Sequence, residues 1–322
     1  MMSDARTRRS RPPARTTSTP LLLGAHMSIA GGPVKALERG HSIGCTAVQI
    51  FLKNNLQWFA KPLPEVDAVR FRQFAGSPKA VFGHTSYLIN LGTNQPQCLE
   101  RSRRSLREEL ARAAQLELPF LVLHPGAHLG EGESAGLLRI VCNLDAVLRD
   151  MPENRCRIAL EITAGQGSNL GHSFEHLAEI IERSKFPERL RVCLDTAHLF
   201  AAGYDISTAQ GFWQVMKRFD QVIGRAQLVA WHLNDSKTRL NSRVDRHEHI
   251  GKGNIGLAPF REILRSPEFN SIPKVLETPK RSDLKEDVEN LKVLQGLTDP
   301  GRKLRSARRS RRNDNAPGCR QG

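Results

Sequence analysis

Short apolar runs alternate with stretches of helical periodicity along most of this chain, and this alternation is what most constrains its fold. The runs are nearly continuous in apolar residues, as expected for parallel strands that are covered on both faces. Eight strands, each followed by a helix, predict a (β/α)₈ TIM barrel. The eight runs are Leu21–His26, Ala47–Leu52, Ala80–His84, Phe120–His124, Ile158–Thr163, Arg191–Asp195, Leu228–His232 and Pro273–Glu277.

The structural alternative is a doubly wound open sheet. A dinucleotide-binding sheet would carry G-x-G-x-x-G after its first strand, and the GAHMSIAGG segment found there has the wrong spacing. Between the runs, the Leu, Arg and Glu spacing of residues 100–116 predicts an exposed amphipathic helix. A length of 322 residues suits one such barrel, so we favour the barrel.

Positive charge is concentrated at the two ends of the chain. The first 20 residues hold five arginines and one aspartate, and residues 301–322 hold seven arginines, one lysine and one aspartate. These ends therefore account for most of the net charge of +15. We predict disordered basic arms at residues 1–20 and 299–322 around a barrel domain at residues 21–298. Basic arms favour polyanions, above all nucleic acid.

The remaining composition limits the cellular context. The six cysteines show no C-x-x-C spacing, which predicts ordinary thiols in a reducing compartment and argues against a zinc–thiolate site. No apolar run approaches the roughly 18 residues that span a membrane, and the Arg- and Pro-rich start does not resemble a signal peptide. We expect a cytoplasmic protein without membrane contact. No feature demands a dimer, so we expect a monomer.

Six of the predicted strands end at a residue that can bind a metal ion. In a barrel, the carboxyl ends of the strands surround one mouth, where these side chains would converge. A single histidine or glutamate at a strand end is usually a capping residue, but six in succession favour a metal centre. The six residues are His84, His124, Glu161, Asp195, His232 and Glu277.

Loop residues enlarge this set. His198 follows Asp195 by one helical turn, and Asp245 and His247 form an Asp-x-His pair in a loop before the glycine-rich turn at residues 251–256. One zinc ion takes about four ligands, so nine candidates serve two or three ions if a carboxylate bridges. Two metals are a standard arrangement for phosphodiester cleavage. Four other histidines lie away from strand ends and are expected to be ordinary: His128, His172, His176 and His249.

Ordered motifs along residues 21–295 resemble those of endonuclease IV, the zinc-dependent apurinic/apyrimidinic endonuclease of base-excision repair. The resemblance implies a TIM barrel with three zinc ions and double-stranded DNA with abasic sites as substrate. Manganese also suits mixed histidine and carboxylate sites and is an alternative at one of them. The matching segments are GAHMSIAGG, HTSYLINLG, LVLHPGAH, LEITAGQGSNLG, LDTAHLFAAGYD, WHLNDSK, RVDRHEHIGKGNIG and LETP.

The resemblance also distributes the ligands and implies the reaction. A hydroxide bridging two zinc ions would cut the phosphodiester 5′ to the abasic site, leaving a 3′-hydroxyl and a 5′-deoxyribose phosphate. Glu161 and Glu277 would be the catalytic carboxylates. One zinc would be held by His84, His124 and bridging Glu161, the second by Glu161, Asp195, His232 and Glu277, and the third by His198, Asp245 and His247.

DNA contacts are implied by the same resemblance. Tyr87 and Leu88 match side chains that enter the gap left by an extruded nucleotide, and Arg243 is a candidate phosphate contact. Leu56 is a departure, because the family often has arginine there; an apolar wedge would remain, without the cation. Ile162 replaces a frequent asparagine, which predicts the loss of a hydrogen bond near the metals.

Two other functions are compatible with parts of this pattern. A single-metal sugar isomerase or epimerase would use Glu161, Asp195, His232 and Glu277, but would leave the other five ligands without a role. A non-catalytic DNA-binding protein would tolerate loss of ligands, yet all nine positions are filled. The endonuclease is therefore the favoured prediction.

Overall fold

The computed structural model describes residues 21–76 and 78–298, and within them eight parallel strands close into a barrel. The predicted (β/α)₈ fold is thereby confirmed. The predicted basic arms fall outside the described residues. Numbered in barrel order, which is also chain order, the eight strands are Leu23–Met27, Ala47–Phe51, Ala80–His84, Phe120–Leu123, Arg157–Glu161, Leu190–Asp195, Leu228–His232 and Lys274–Leu276.

Closure of the barrel joins the two ends of the domain. The first strand pairs with the second through Gly24 and Ala47 and with the eighth through Leu23 and Lys274, both in parallel register. Each predicted run overlaps one strand, and the ends differ by at most a few residues. His124 and Glu277 lie one position beyond their strands, which leaves them at the same mouth.

Nine helices of the described residues follow the strands or their loops. The third begins at Pro96, four residues before the predicted start, because proline is favoured in the first helical turn. The sixth begins beside Asp195, whose side chain accepts a hydrogen bond from the backbone N–H of His198. The helices are α1 Pro33–Ser42, α2 Glu65–Arg72, α3 Pro96–Gln115, α4 Glu133–Arg149, α5 Phe174–Arg183, α6 Thr196–Ala202, α7 Ala209–Val222, α8 Ala258–Arg265 and α9 Lys285–Thr298.

The barrel interior combines large rings on the third and fourth strands with small residues on the second, fifth and seventh strands. The rings of Phe82 and Phe120 stack with centroids 4.8 Å apart, and they share a buried cluster with Ala47, Ala159 and Ala230. Side chains two residues apart on a strand face the same side. Glu161 and His232 each follow an interior residue by two positions, so their side chains also face the inside of the barrel, at its carboxyl-end mouth.

The sequence predicts no segment that spans a membrane, and the helices test this prediction. Among the helices of the part described, none is both long enough and apolar enough to cross a bilayer.

Phe82 tests the packing of the interior. Replacing it with alanine should lower the free energy of unfolding by about 3–5 kcal/mol, because a fully buried ring is removed and a cavity remains. Urea denaturation followed by circular dichroism measures this loss. Val66→Ala, at an exposed position of α2, should change stability by no more than about 0.5 kcal/mol. Equal effects of the two changes would contradict this account of the core.

Candidate metal centre

A fully buried carboxylate, Glu161, lies at the centre of the mouth. Its Oε2 atom is 3.1 Å from Nε2 of His84 and 3.0 Å from Nε2 of His124. Its Oε1 atom is 2.9 Å from Nδ1 of His232 and 3.2 Å from Nδ1 of His198. The two oxygens of one carboxylate thus face different groups of histidines.

The eighth strand completes a second group on the Oε1 side. Glu277 places Oε2 3.1 Å from Nδ1 of His232, and Asp195 places Oδ2 3.8 Å from the same nitrogen. Glu161, Asp195, His232 and Glu277 can offer ligand atoms that all lie within 4.8 Å of one another. Because three carboxylates crowd around one histidine, this group is suited to a cation.

A third group lies between α6 and the loop after the seventh strand. His198 and His247 face each other with Nε2 atoms 3.4 Å apart, and Asp245 lies 3.2 Å from the first and 3.3 Å from the second. Asp195 also reaches this group, with Oδ2 3.7 Å from Nε2 of His247. The family resemblance assigned Asp195 to the ligand group of His232 only. In the structure its carboxylate also lies near the ligand group of His247.

The acidic and basic side chains of the mouth shift one another's pKa values. Burial alone would raise the pKa of Glu161, but the positive charge of His232 and His124 outweighs burial, and the pKa lies well below its usual range. Burial alone would lower the pKa of His198, but Asp195 and Asp245 outweigh it, and the pKa is raised well above its usual range. The histidines and carboxylates of the mouth therefore stabilise one another's charged forms.

Three histidines are oriented as metal ligands usually are. Nδ1 of His84 lies 2.7 Å from the carbonyl oxygen of Thr85, and Nδ1 of His198 lies 2.9 Å from that of Ile162. His247 makes a longer contact of the same kind, 3.3 Å, to the carbonyl of Glu277. In each case Nδ1–H can donate to the backbone, which leaves the lone pair of Nε2 directed into the groups. The donor set therefore fits borderline divalent metals such as zinc.

Comparison with known proteins places this architecture in a family. Residues 37–296 match the model of a family described as a xylose isomerase-like TIM barrel. A probable endonuclease 4 of Geobacter sulfurreducens is 47% identical over 277 residues, which are 85% of this chain and 94% of that protein. A crystal structure of endonuclease IV from Thermus thermophilus superposes with a TM-score of 0.77 at 34% identity, covering 86% of this chain and 98% of that one. The chain belongs to the endonuclease IV family.

More distant structures share the fold of the endonuclease IV family. A D-tagatose 3-epimerase-like protein superposes with a TM-score of 0.65 at 17% identity, over 85% of this chain and 96% of that one. At this identity the likeness concerns the barrel alone. Any difference in chemistry must come from the side chains at the mouth and from its loops.

The residues predicted to contact DNA surround the mouth without joining the metal groups. Leu56 is 75% exposed and Tyr87 52% exposed, whereas Leu88 is half-buried. The Tyr87 ring packs against His84 and His124, with centroids 5.3 and 5.5 Å away, and it lines a cavity of about 370 Å³ with His198, Asp245, His247 and Glu277.

Arg243 lies on the far side of the mouth and is exposed. Its Nη1 atom approaches Gly165 so closely that a Cβ there would lie 2.5 Å from it, and Gly165 has a φ of +74°. A side chain at position 165 would therefore displace the guanidinium. At the second departure from the family pattern, the backbone carbonyl of Ile162 lies 2.9 Å from Nδ1 of His198, and the predicted loss of a side-chain hydrogen bond at this position stays a prediction.

Sequence reasoning missed three polar residues that contact the candidate ligands. Gln49 is fully buried and touches His232 and Glu277, and His26 lies 3.4 Å from Glu277. Asn234 donates to Asp195 Oδ2 and accepts from the backbone N–H of Glu277. Alternation on the second strand would have found Gln49, which follows the interior position Ala47 by two residues. His26 is the last residue of the first predicted run, so its place at a strand end was the available signal.

The glycine-rich turn that follows His247 is held in place by hydrogen bonds to a buried carboxylate. Asp235 is fully buried, and its carboxylate accepts hydrogen bonds from the backbone N–H groups of Gly251, Gly253 and Ile255 at 2.9 to 3.0 Å. A Cβ on Gly253 would come within 2.4 Å of the Ser236 carbonyl. The turn is therefore structural. It lies beside a short antiparallel pair of strands, Asp235–Ser236 and His247–Glu248, which presents His247.

A second cluster of metal-type side chains lies outside the mouth. Glu133 is 2.9 Å from Nε2 of His172 and 3.3 Å from Nε2 of His176. The backbone N–H of Gly171 donates to Nδ1 of His176, so Nε2 carries the proton of the neutral ring and donates to Glu133. Two N–H groups that share one carboxylate account for this cluster without a metal.

Stability of the metal-free protein should depend on pH in a defined direction. His198 has a raised pKa in the folded state, so its contribution is complete below its ordinary value of 6.5 and is lost as pH rises through the raised value. Glu161 has a lowered pKa, so its contribution is present above its ordinary value of 4.5 and is lost as pH falls through the lowered one. The melting temperature should therefore be highest between these two ordinary values.

Added divalent metal should reverse the alkaline side of this profile. A metal competes with protons for the histidines, so the stabilisation that Zn²⁺ provides should grow with pH. Differential scanning fluorimetry from about pH 5 to pH 9, with and without Zn²⁺, measures both effects. Parallel profiles in the two conditions would show that the histidines of the mouth do not exchange protons for metal.

Proposed function

We propose that this protein is a zinc-dependent apurinic/apyrimidinic endonuclease of DNA base-excision repair. It hydrolyses the phosphodiester on the 5′ side of an abasic site and leaves a 3′-hydroxyl and a 5′-deoxyribose phosphate. One observation carries the proposal: in a chain of the endonuclease IV family, the carboxylate of Glu161 lies between two groups of histidines with one oxygen towards each. A single-metal sugar enzyme has no use for the second group.

Nine side chains would hold the metals in this proposal. Bound zinc ions supply Lewis-acid charge that lowers the pKa of a water and neutralises the phosphate. Glu161 and Glu277 are the proposed catalytic carboxylates, because the first spans two groups and the second both contacts His232 and lines the cavity. The three proposed sets are His84, His124 and Glu161; Glu161, Asp195, His232 and Glu277; and His198, Asp245 and His247. Manganese is an alternative at one of them.

The exposed apolar side chains beside the cavity are proposed to recognise the lesion. Leu56 and Tyr87 lie on the loops after the second and third strands, and a buried ion pair braces these loops. Nζ of Lys53 is 2.7 Å from Glu109, which also accepts from the backbone N–H of Ser86. The Ser86 hydroxyl donates to the carbonyl of Asn55. Rigid loops that carry apolar wedges are suited to filling the gap in a duplex that lacks a base.

Leu88 and Arg243 have supporting roles in the proposal. Leu88 is half-buried, follows Tyr87 in the chain and is proposed to support the wedge, and exposed Arg243 would contact a phosphate. Every proposed metal ligand comes from one chain, and we propose that the enzyme acts as a monomer.

Glu161 provides the first test of the proposed activity. Zinc-loaded protein should nick a duplex with a single abasic site, and chelation should abolish the nicking. Glu161→Gln should lower both the metal content and the nicking rate, the latter about 10³-fold or more, because metal catalysis contributes several kcal/mol. Elemental analysis and a gel assay with labelled DNA measure the two.

Glu133→Gln is the matched control, because Glu133 also contacts two histidines but lies outside the mouth. It should leave the metal content and the nicking rate unchanged. About three metals per chain are expected. One metal and no nicking would favour the sugar isomerase instead.

Tyr87 provides a test of lesion recognition that is separate from the chemistry. Tyr87→Ala should weaken binding to an abasic duplex by about 1–3 kcal/mol, or roughly 5- to 150-fold, if the ring stacks on a base in the gap. Binding to an intact duplex and the metal content should change little. Fluorescence anisotropy with both duplexes measures the difference, and an equal loss for both would contradict a role in recognising the lesion.

A further inference from the structure

His232 is held differently from the other oriented histidines of the mouth. His84, His198 and His247 face backbone carbonyls through Nδ1, although Nδ1 of His198 also lies 3.2 Å from Oε1 of Glu161. His232 instead turns Nδ1 towards three carboxylates, those of Glu161, Glu277 and Asp195. Its outward nitrogen, Nε2, lies 2.8 Å from Oε1 of a side chain, that of Gln49. The orientation of this ring therefore depends on a residue that can be replaced.

The amide of Gln49 has only one acceptable orientation. Its nitrogen lies 2.5 Å from Oε1 of Glu277 and 2.8 Å from Nδ1 of His26. A carboxylate accepts hydrogen bonds and cannot donate them, so the reverse orientation would set the amide oxygen against a carboxylate oxygen. The amide oxygen must then face His232, where it accepts a hydrogen bond from Nε2–H.

This contact selects one form of the His232 ring. A neutral imidazole carries one proton, and if that proton is on Nε2, the lone pair is on Nδ1. Nδ1 is the nitrogen that faces the three carboxylates. Gln49 therefore presents the lone pair on the side where a cation would be held, and the same amide ties down the Glu277 carboxylate beside it.

We propose that Gln49 is a positioning residue of the metal centre, which holds His232 with Nδ1 towards the carboxylates and holds Glu277 next to it. The inference rests on the metal centre of the proposed function and adds a residue to it. Gln49 is fully buried on the second strand, so water cannot replace its hydrogen bonds when it is substituted. Its amide nitrogen and its oxygen both have partners, which leaves it no other evident role.

Gln49→Met tests the inference, because methionine keeps an unbranched chain of similar length and removes both the donor and the acceptor. The full-length protein is loaded with Zn²⁺ and titrated with a chelator in the absence of DNA. The variant should lose at least one metal at a 10- to 100-fold weaker apparent affinity, the usual effect of removing a contact behind a ligand.

Asn143→Leu is the matched control, because Asn143 is a similarly buried amide that contacts Leu91 and Arg103 and none of the candidate ligands. It should destabilise the fold but bind metal as the unmodified protein does. A crystal structure of the zinc-loaded unmodified protein provides a second measurement that does not depend on any variant. His232 should coordinate through Nδ1, with Nε2 on Gln49.

The outcomes separate this inference from the proposed function. Unchanged metal affinity in Gln49→Met, or coordination by His232 through Nε2, overturns the positioning role and leaves the endonuclease proposal standing. Metal loss in Gln49→Met together with no nicking by the unmodified, zinc-loaded protein overturns the endonuclease and leaves the positioning role. A protein that binds no divalent metal overturns both.

Discussion

The mouth of the barrel depends on one buried charge. An ionised carboxylate without partners is costly in a protein interior, and Glu161 is fully buried, yet each of its oxygens has histidine nitrogens within about 3 Å. These histidines come from the third, fourth and seventh strands and from α6. A single side chain therefore ties together elements that are distant in the sequence, and the remaining acidic groups are arranged around it.

The sequence predicts this arrangement well where barrel geometry dictates it. Apolar strands must stop at the mouth, so a histidine or carboxylate at the end of six successive runs can be expected to converge there, as the structure has it. Gln49 was missed because it lies inside an apolar run, AVQIF, and was counted with its neighbours. The position of Asp195 between two groups, and which ring nitrogen each histidine turns inward, depend on ångström-scale packing that a residue pattern does not contain.

The loops at the mouth carry features that the closed sheet does not. The barrel superposes on an epimerase-like protein as well as on endonuclease IV of Thermus thermophilus, so the closed sheet alone decides little about chemistry. The loops after the second and third strands, unlike the buried core, expose apolar side chains to solvent. They expose Leu56 and Tyr87 while a buried pair, Lys53 and Glu109, keeps them in place. Both exposed side chains therefore stand on loops that a buried ion pair anchors.

Closure of the barrel between its first and eighth strands sets an order of maturation. Glu277 follows the last strand, whereas His84 follows the third, so almost two hundred residues of synthesis separate them. A chain still on the ribosome has the early histidines but lacks the carboxylate that completes the group around His232. We expect tight capture of metal to wait until the final strand docks, because a complete ligand set exists only in the folded domain.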